Sequence, residues 1–524
     1  MPALDIPTST NILVVGGGPA GSYAATALAR EGFEVTLLEK EHFPRYHIGE
    51  SMLSSCRPFL RYIGAEEKVS NYGFCVKVGG AVKFKQDKRE GYTDFIHPDP
   101  SNASWNVDRS EFDEILLRNA TENGVCVSEG VEVTAFKFSN NDSRKPIAAE
   151  WKSDMGGAGE LQFNWLVDCS GRNGIMSTKY LKNRKFNTAL RSIACWGYWT
   201  GANKYAPGTR RENAIWLEAL TDETGWAWFI PLHGNRVSVG VVLKEESSRS
   251  KKAKLSGPDR ATQYYHDQIK LAPGVVRLLG DAKFLGEVES AADYSYSAAD
   301  GQYAGLNYRI AGDAGAFIDP FFSSGVHLAF GGALSAASTI SASIRGQCTE
   351  EEAIRFHNEK TGTSYTRFLL VVLSAYQQIT SQSVSVLSDI DEDNFDRAFD
   401  FIRPVIQGAT ETDQNVTEEM IQRAMDFCEH ALGQTDPEMH AEVAKRRGFD
   451  ADIMGHDGPI LGPRDAAAMA GDDEEAKNVL WRVNARKAVE SIRWQPNFRG
   501  ESFNGLSIVM ERGALGLARF PVAA

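Results

Sequence analysis

The hydrophobic positions near the start of the chain occur in a strand–helix–strand order. A run that is apolar after Asn11 covers positions 11–15, alanines recur through 22–30 after a run of glycines, and a second, mainly apolar run covers 35–38. Alanine is the strongest helix former, and Gly32 can end the helix because glycine readily adopts a left-handed conformation. The pattern predicts a βαβ unit near the N-terminus.

Farther along the chain, strand-like runs give way to helical spacing. We expect residues 151–310 to form a second sheet, with predicted strands at 161–167, 193–199 and 237–242. Apolar residues then recur at helical spacing from about 334 to 344 and again over 351–376. An acidic, solvated segment is predicted at 389–396, and charged helices broken by glycine and proline are predicted for 410–500.

Composition and charge narrow the range of functions. Hydrophobic residues make up 42% of the 524 and charged residues 24%, which is ordinary for a globular protein of more than one subdomain. The formal net charge of −13 argues against a nucleic-acid partner, because phosphate groups need a basic surface. The apolar stretch at 368–373 is too short to cross a membrane.

The seven cysteines are dispersed and include no pair at the spacing of a zinc site. An odd, scattered set of this kind fits reduced thiols better than a disulfide framework. The first residues carry neither the basic segment nor the cleavage site of a signal peptide. We therefore expect a cytoplasmic protein without a bound metal.

A glycine-rich turn follows the first predicted strand, with the sequence Gly-Gly-Gly-Pro-Ala-Gly at 16–21. In the G-x-G-x-x-G pattern the first glycine allows a tight turn, the second lets the backbone approach a pyrophosphate, and the third lets the helix pack on the strand. An acidic residue about 20 positions later accepts hydrogen bonds from a ribose. The predicted nucleotide-binding residues of this unit are Gly16, Gly17, Gly18, Ala20, Gly21 and Glu39.

Later segments favour FAD over NAD as the nucleotide. An apolar strand ends in Gly312 and Asp313, and an aspartate at this point can hold the ribityl hydroxyls of a flavin. Arg109 begins an amphipathic helix; flavoprotein hydroxylases carry a similar arginine that meets the FAD phosphates, although an i,i+4 surface pair with Asp113 fits the spacing equally well. The sequence shows no second G-x-G-x-x-G for NAD(P)H, and segment 166–172 lacks the Asp-Gly pair of aromatic hydroxylases.

Four motifs give the sequence its most specific resemblance. They are Trp-Ala-Trp-Phe-Ile-Pro at 226–231, Phe-Ile-Asp-Pro-Phe-Phe-Ser-Ser-Gly at 317–325, Phe-Cys-Val-Lys-Val-Gly at 74–79 and Pro-Arg-Tyr-His-Ile-Gly-Glu-Ser at 44–51. Together they resemble the W-x-W-x-I-P, F-x-x-P-x-x-S-x-G, F-x-x-K-x-G and P-R-x-x-I-G-E-S motifs of the flavin-dependent halogenases. The whole pattern is most similar to the fungal branch of that family, which halogenates phenols.

The resemblance implies a fold and a division of the chain. The expected fold class is α/β, with a Rossmann-like FAD-binding domain of the aromatic-hydroxylase and halogenase type, a β-rich substrate domain and a C-terminal helical region. The helical region, 346–524, would cover the substrate pocket. The FAD-binding module would span 1–345, with flavin motifs at 11–51, 105–135 and 308–330 and an inserted substrate-side sheet at about 70–105 and 185–300.

The resemblance also implies a reaction. Reduced FAD and O2 form a flavin hydroperoxide, chloride or bromide attacks it, and the resulting hypohalous acid halogenates an electron-rich phenol in secondary metabolism. The oxidising power belongs to the cofactor, and the protein positions the reactants. A separate, transiently bound flavin reductase would supply the reduced FAD. The main alternative is an aromatic hydroxylase using NAD(P)H, and the second is a non-catalytic FAD-fold binding protein.

Lys77 is the predicted catalytic residue, with Lys83 and Lys85 as the alternatives. By resemblance it holds hypohalous acid beside the substrate, through a hydrogen bond or as a haloamine, and burial would favour its neutral amine. The halide would bind at Ser324 and Gly325, where a small-residue turn opens a helix predicted from 326 to 337. A simple N-cap role for Ser323 or Ser324 is compatible with this prediction.

The other motif residues are predicted to surround the flavin. Trp226 and Trp228 would wall the flavin from the substrate, mainly as packed side chains. His47 and His327 lie in flavin-side motifs, but no general base is assigned because a packed or hydrogen-bonded histidine is the commoner case. Flavin-side structural roles are also expected for Pro231, Pro320 and Ser323. The remaining predicted cofactor-binding residues are Arg45, Gly49, Glu50, Ser51, Arg109, Val133, Gly312, Asp313 and Val326.

Overall fold

The computed structural model describes most of the chain at the level of side chains. The described residues are 6–96, 100–382, 405–408, 437–454, 461, 463–490 and 502–519. The acidic segment predicted at 389–396 and much of the predicted helical region at 410–500 lie outside them.

The strands of the described residues fall into two large sheets and two small ones. In chain order they are β1 Ser9–Val15, β2 Val35–Leu38, β3 Cys75–Lys77, β4 Gly79–Lys83, β5 Gly91–Asp94, β6 Ser104–Asn106, β7 Cys126–Ser128, β8 Val131–Phe138, β9 Pro146–Ser153, β10 Ala158–Asp168, β11 Arg184–Thr200, β12 Ile215–Ala219, β13 Gly225–Pro231, β14 Arg236–Lys244, β15 Lys283–Phe284, β16 Glu289–Ala298, β17 Ala304–Gly305, β18 Tyr308–Ile310, β19 Ser502–Phe503, β20 Leu506–Val509 and β21 Gly516–Arg519.

The α-helices occur between these strands and in the C-terminal part. In chain order they are α1 Pro19–Arg30, α2 Cys56–Tyr62, α3 Glu66–Asn71, α4 Arg109–Glu122, α5 Glu245–Ala253, α6 Arg260–Ile269, α7 Pro273–Leu279, α8 Gly325–Ile344, α9 Glu350–Ile379, α10 Pro437–Arg447, α11 Ala451–Met454, α12 Pro463–Ala470 and α13 Glu474–Glu490. None of the described helices combines the length and the apolar character needed to cross a bilayer.

The first sheet is built on the N-terminal βαβ unit. Strand β1 pairs in parallel with β2 on one side and with β10 on the other, and β10 pairs in parallel with β18. Both β1 and β2 are buried along nearly their whole length, as expected for parallel strands covered on both faces. The predicted Rossmann-like α/β fold is confirmed.

One predicted strand belongs to a different sheet from the one expected. Residues 161–167 were expected in the second sheet, but they lie in β10, parallel to β1 in the first sheet. The error has a physical reason: an apolar run identifies a buried strand, whereas the partner of that strand is set by distant parts of the chain. The runs at 193–199 and 237–242 do lie in the second sheet, paired with each other as parts of β11 and β14.

The second sheet separates two hydrophobic clusters. Its strands run in the order β15, β11, β14, β13, β12, β4 and β5, with β16 paired to β11. On β13, Trp226 and Trp228 face one cluster and Ala227 and Phe229 face the other, because successive side chains of a strand point to opposite faces. Helices α6 and α7 pack on the Phe229 side, and α9 packs on the tryptophan side.

Helices α8 and α9 join the two sheets. Helix α8 joins the two overlapping helical predictions, 326–337 and about 334–344, into one helix, and it is almost entirely buried, since its alanines and glycines allow close packing against α1 and α9. Helix α9 begins with a capping box in which the Thr349 hydroxyl and the Glu352 carboxylate each accept a backbone N–H. This capping explains why α9 starts at Glu350, one residue before the predicted position.

The C-terminal part contributes three separate pieces. Helices α10 to α13 share a hydrophobic cluster of their own. The turn at 405–408 packs on the second sheet, where the Gln407 side chain donates hydrogen bonds to Thr93 Oγ1 and to the backbone oxygen of Asp94. Strands β19 to β21 return to α8 and α9, and Leu517 packs against Phe356.

Candidate functional site

A cavity of about 750 Å³ lies at the carboxyl ends of β1, β2 and β10 and extends to the second sheet. Ligands of open α/β sheets bind at this edge. Most of the predicted site residues line the cavity: Gly16, Gly18, Ala20, Glu39, Arg45, Gly49, Ser51, Arg109, Val133, Trp228, Gly312, Asp313, Pro320, Ser323, Gly325 and Val326.

The glycine turn has the close contacts that require glycine. Gly16 has a φ of +100°, and a Cβ there would lie 2.2 Å from the backbone oxygen of Cys169. A Cβ on Gly21 would lie 1.8 Å from the backbone oxygen of Gly16, so α1 packs directly on the turn. The Gly17 N–H instead donates to the Glu39 carboxylate, which ties the turn to the end of β2. Gly17 and Gly21 therefore shape the turn from outside the cavity wall.

Positive charge accompanies the turn at the start of α1. A guanidinium nitrogen of Arg45 lies 3.5 Å from the position that a Cβ of Gly18 would occupy. The other terminal nitrogen of Arg45 donates to Asp113 at 2.8 Å. Free N–H groups of a first helical turn and a nearby arginine together attract a phosphate group.

Arg109 is held mainly by the protein itself. It donates to both carboxylate oxygens of Asp113, at 2.8 and 2.9 Å, and to the backbone oxygens of Ile48 and Gly49. Burial would raise the pKa of Asp113, but the charges of Arg109 and Arg45 outweigh burial and lower it. The i,i+4 pair with Asp113 is thus present, but it is buried at the cavity rather than on the surface, and it fixes the loop at 48–49.

Asp313 occupies the middle of the cavity wall. Its backbone oxygen accepts a hydrogen bond from Tyr296 at 2.7 Å, which leaves the carboxylate to face the cavity. Burial raises the pKa of Asp313, whereas the charges of Arg172, Arg109 and Arg184 act to lower it. A carboxylate surrounded by arginines in this way is suited to accept hydrogen bonds from sugar or ribityl hydroxyls.

A turn followed by the start of α8 forms another part of the wall. Ser323 has a left-handed φ of +57°, and Ser324 occupies the N-cap position without a side-chain capping bond. The Ser324 hydroxyl is buried outside the cavity lining, whereas Gly325 and Val326 line the cavity. Since the first N–H groups of a helix have no partner within the helix, this turn offers donors to an anion.

Lys77 is buried behind this cavity, with only 2% of its surface exposed. Its amine donates to Ser51 Oγ at 2.8 Å and to the backbone oxygen of Met52 at 3.0 Å. The nitrogen also lies 4.8 Å from the centre of the Phe95 ring. Because Ser51 lines the cavity, a single hydrogen bond separates Lys77 from it.

Burial lowers the pKa of Lys77 to about 7, because the charged ammonium loses hydration in an apolar setting. The amine is therefore partly neutral near neutral pH. Gly79 in the same motif permits this packing, since a Cβ there would lie 2.4 Å from the backbone oxygen of Thr93.

The alternative lysines lie in a different environment. Lys83 is partly exposed and donates to the backbone oxygen of Lys88 at 2.6 Å. Lys85 is also partly exposed, just beyond the end of β4. Of the three lysines, Lys77 is the one hydrogen-bonded to a residue of the cavity wall.

The two motif tryptophans occupy neighbouring positions with different surroundings. Trp228 lines the cavity and donates to Ser238 Oγ at 3.1 Å. Trp226 lies two residues earlier on the same face of β13. It contacts Phe321 and donates to the Tyr376 hydroxyl at 3.0 Å. Tyr376 in turn donates to the Asp319 carboxylate, so this network ties β13 and α9 to the turn before α8. Pro231 ends β13 outside the cavity lining.

Neither motif histidine has the properties of an exposed base. The Arg109 charge and burial lower the pKa of His47 to about 4, and its Nδ1 atom is bonded to the backbone oxygen of Ile48. His327 is buried between the rings of Phe59 and Phe368.

The side chain of Glu50, a predicted cofactor-binding residue, points toward β11. Its side chain is absent from the cavity lining and bonds instead to Tyr198 at 2.8 Å. Neighbouring residues of an extended segment point to opposite sides, so Ser51 faces the cavity wall and Glu50 faces β11.

Several cavity residues were missed from the sequence. Trp196 on β11 and segment 169–173 line the cavity. The segment had been noted only for its missing Asp-Gly pair, but its position directly after β10 was a usable signal. The sequence of β11 also shows alternating aromatic residues, but it does not indicate which of the two sets faces the cavity.

Comparison with known proteins assigns the fold and site to a family. A family profile described as tryptophan halogenase matches residues 11–101 and 97–386. The flavin-dependent halogenase armH1 of Armillaria mellea is 58% identical over 522 residues, covering 98% of this chain and 99% of that protein. This chain belongs to the flavin-dependent halogenase family. The prediction from the four motifs is confirmed.

Two further relatives of this halogenase show how widely the likeness extends. The sulochrin halogenase gedL of Aspergillus terreus is 42% identical over 532 residues, covering 98% of this chain and 94% of that protein. The solved structure of the myxobacterial chondrochloren halogenase CndH superposes with a TM-score of 0.64 at 26% identity, covering 81% of this chain and 98% of that chain.

The cavity of the halogenase fits FAD, the cofactor that the family implies. Its wall carries groups suited to each part of that molecule: Glu39, the Gly18 turn with Arg45 beside it, Asp313 and Trp228 all line the cavity. A ribose, a pyrophosphate, a ribityl chain and a flat ring system need groups of these kinds.

Proposed function

We propose that this halogenase chlorinates or brominates an electron-rich phenol, using FADH2, O2 and a halide ion, and that Lys77 directs the hypohalous acid to the substrate. The observation that carries the proposal is the position of Lys77. It is a buried amine with a pKa near neutrality, one hydrogen bond from the wall of the FAD cavity.

The start of α8 would hold the halide. Gly325 and Val326 line the cavity, and as the first residues of a helix their backbone N–H groups have no acceptor within that helix, so they would donate to the halide. Bound reduced FAD with O2 supplies the oxidising power that converts the halide to hypohalous acid. The role of the protein at this turn is to fix the halide in the cavity without using a charged side chain.

Lys77 would then hold the electrophile. Its amine lies between Ser51, at the cavity wall, and the Phe95 ring on the other side. An ammonium group donates a hydrogen bond to the oxygen of hypohalous acid, which makes the halogen more electrophilic, and a neutral amine accepts the halogen. A pKa near 7 makes both forms available at neutral pH.

The substrate would approach from the side of Lys77 away from the FAD cavity. Phe84, Phe95 and Phe321 belong to the hydrophobic cluster on that side, and the turn at 405–408 packs on it. Aromatic, apolar side chains suit contact with a planar phenol, and electrophilic halogenation requires the electron density that a hydroxyl group gives to a ring. The name of the sulochrin halogenase relative supports a phenolic substrate.

We also propose that a separate flavin reductase supplies the reduced FAD and that the protein works in the cytoplasm. The described cysteines Cys56, Cys75, Cys126, Cys169, Cys195 and Cys348 are free thiols, which fits a reducing compartment.

The test combines purified protein, FAD, an unrelated flavin reductase, NADH, chloride or bromide and a panel of resorcinol-type phenols. Mass spectrometry of the products is expected to show a halogen isotope pattern. Lys77→Ala should lose this product while still binding FAD, and Lys83→Ala should retain it. Omission of the reductase should also abolish the product.

Each component of the proposal has its own contrary result. A hydroxylated product would favour the aromatic hydroxylase. Unchanged halogenation by Lys77→Ala would remove the role of that lysine, and full turnover with NADH alone would remove the need for a reductase.

A further inference from the structure

Glu50 begins a chain of hydrogen bonds that leads back to the cavity by another route. The Tyr198 hydroxyl donates to Glu50 Oε1 at 2.8 Å, and the hydroxyls of Tyr198 and Tyr46 lie 3.0 Å apart. Trp196 holds the end of the chain, because its indole N–H donates to the Tyr46 hydroxyl at 2.7 Å. Three side chains from two separate segments thus form one continuous path.

The two ends of this path differ in exposure. Glu50 is buried, with 3% of its surface exposed, and its Oε2 atom makes no hydrogen bond among the described residues. Tyr46 is 52% exposed and also lines the FAD cavity. The path therefore connects a buried carboxyl group with a position that meets both the cavity and solvent.

The surroundings of Glu50 allow it to change protonation near neutral pH. Burial raises its pKa to about 7, and the hydrogen bond from Tyr198 only partly opposes this. Asp108 raises the pKa further, while Arg236 lowers it. Arg109 adds a positive charge from α4, and Glu289 acts on Tyr46 from β16.

The proposed reaction requires such a proton source. Replacement of one aryl C–H bond by a carbon–halogen bond uses one halide ion, one O2, one FADH2 and one proton, and it yields FAD and two water molecules. Both oxygen atoms of O2 leave as water, and the two electrons of the halide–carbon bond come from the ring. The reaction thus consumes a proton within a cavity that must exclude bulk water to protect its reactive oxidant.

We infer that Glu50, Tyr198 and Tyr46 form a proton relay that delivers the consumed proton to the FAD cavity. The inference rests on the proposed function. Glu50 stores the proton, and each tyrosine passes one on as it receives another, so that no residue of the path changes its net charge except Glu50. Between turnovers Glu50 regains its proton from solvent along the same path, through the exposed Tyr46. Glu50 and Tyr198 thus act through Tyr46, which meets the cavity.

The relay is tested first without turnover, by infrared spectroscopy of the FAD-bound protein. The carboxylic C=O band of Glu50 is identified by its loss in Glu50→Gln. After transfer to heavy water, the band should shift quickly in the wild type and at least about tenfold more slowly in Tyr198→Phe and Tyr46→Phe, because each removes one link. Tyr46 is half exposed, so its variant is expected to fold normally.

A matched control comes from another tyrosine–glutamate pair. The Tyr205 hydroxyl donates to Glu90 at 2.7 Å on the other face of the second sheet. Tyr205→Phe removes the same kind of bond without touching the path, and it should leave the exchange of the Glu50 band unchanged.

Turnover provides the second measurement. The wild-type halogenation rate should fall as pH rises through about 7, because Glu50 loses its proton there. In Glu50→Gln the part of this pH dependence that Glu50 causes should disappear, which leaves the titration of Lys77, and the rate should be lower throughout. Unchanged exchange in both tyrosine variants would overturn the relay, as would a wild-type pH profile in Glu50→Gln. Absence of any halogenated product from the wild type would instead refute the proposed function, while the exchange measurement still decides on the relay.

Discussion

Replacement of Lys77 by methionine is expected to make the protein more stable while it abolishes halogenation. Burial lowers the pKa of Lys77 from 10.5 to about 7. At 1.36 kcal/mol for each tenfold change in proton affinity, the charged lysine destabilises the folded state by about 5 kcal/mol at low pH. Methionine has a similar length and carries no charge.

Part of this gain is offset by two lost hydrogen bonds. The Ser51 hydroxyl can rotate to another acceptor, but the backbone oxygen of Met52 loses its donor inside the protein. An unsatisfied buried group of this kind costs about 1–3 kcal/mol. The expected net gain for Lys77→Met is therefore about 2–4 kcal/mol below pH 7.

The pH dependence identifies the cause of the gain. Below pH 7 the lysine is protonated in both the folded and the unfolded chain, so its full cost is present. Between about 7 and 10.5 only the unfolded chain holds the proton, and the stability of the wild type rises with pH through this window. The advantage of Lys77→Met should thus shrink by about 2–3 kcal/mol between pH 7 and pH 9.

Urea unfolding of the FAD-free proteins at about pH 6.5 and about pH 9 measures both effects. Lys83→Met is the matched control, since Lys83 is partly exposed and its replacement should change stability by less than about 0.5 kcal/mol at either pH. A less stable Lys77→Met protein at the lower pH, or a gain that does not depend on pH, would refute the argument.

Four further substitutions test the cavity and the side chains packed around it. Gly21→Ala should abolish FAD binding, measured by flavin fluorescence, because the added Cβ would lie 1.8 Å from a backbone oxygen of the glycine turn. Gly325→Ala meets no atom within 4 Å and should leave the fold intact, but it should raise the halide KM about tenfold by occupying space beside the free N–H groups. Ser324→Ala removes a buried hydroxyl without a hydrogen-bond partner, so we expect a stability gain of about 1 kcal/mol and an unchanged halide KM in steady-state kinetics. Tyr376→Phe takes a donor from the buried Asp319 carboxylate and should lower the free energy of unfolding by about 1–3 kcal/mol.

The parts of the fold that depend on neighbouring residues could be predicted from the sequence. Helix α1 and the turn before it follow from glycine and alanine positions within one segment, and the structure places both as expected. The assignment of 161–167 to the second sheet failed because strand pairing depends on distant residues. The two overlapping predictions at 326–337 and about 334–344 form the single helix α8, in which burial against α1 and α9 compensates for serine and glycine, both weak helix formers.

In the candidate site, too, the features set by neighbouring residues could be predicted, and those set by distant residues could not. The motif residues Lys77, Ser51, Asp313 and Gly325 lie in or next to the FAD cavity. Lys77 ends β3, Asp313 follows β18 and Gly325 begins α8, positions that motif spacing along the chain can indicate. The direction in which individual side chains point could not be predicted from the sequence in the same way. Glu50 points away from the cavity, and no feature of its own segment indicates that a tyrosine on β11 would donate a hydrogen bond to it.

The segment from Gly49 to Ser51 explains how one short motif serves two proton-binding groups. Arg109 holds its backbone at Gly49, so the next two side chains are fixed on opposite sides. Ser51 meets Lys77 and Glu50 meets Tyr198. Burial lowers the pKa of the amine and raises that of the carboxyl, and each reaches about 7 for the same reason, the loss of water around a charge. The ordinary pKa values of a lysine and a glutamate are far apart, and the sequence alone indicates only these ordinary values. Their convergence is a property of the wall that buries them both, and it places two groups that exchange protons near neutral pH beside the cavity where the halogenation consumes one.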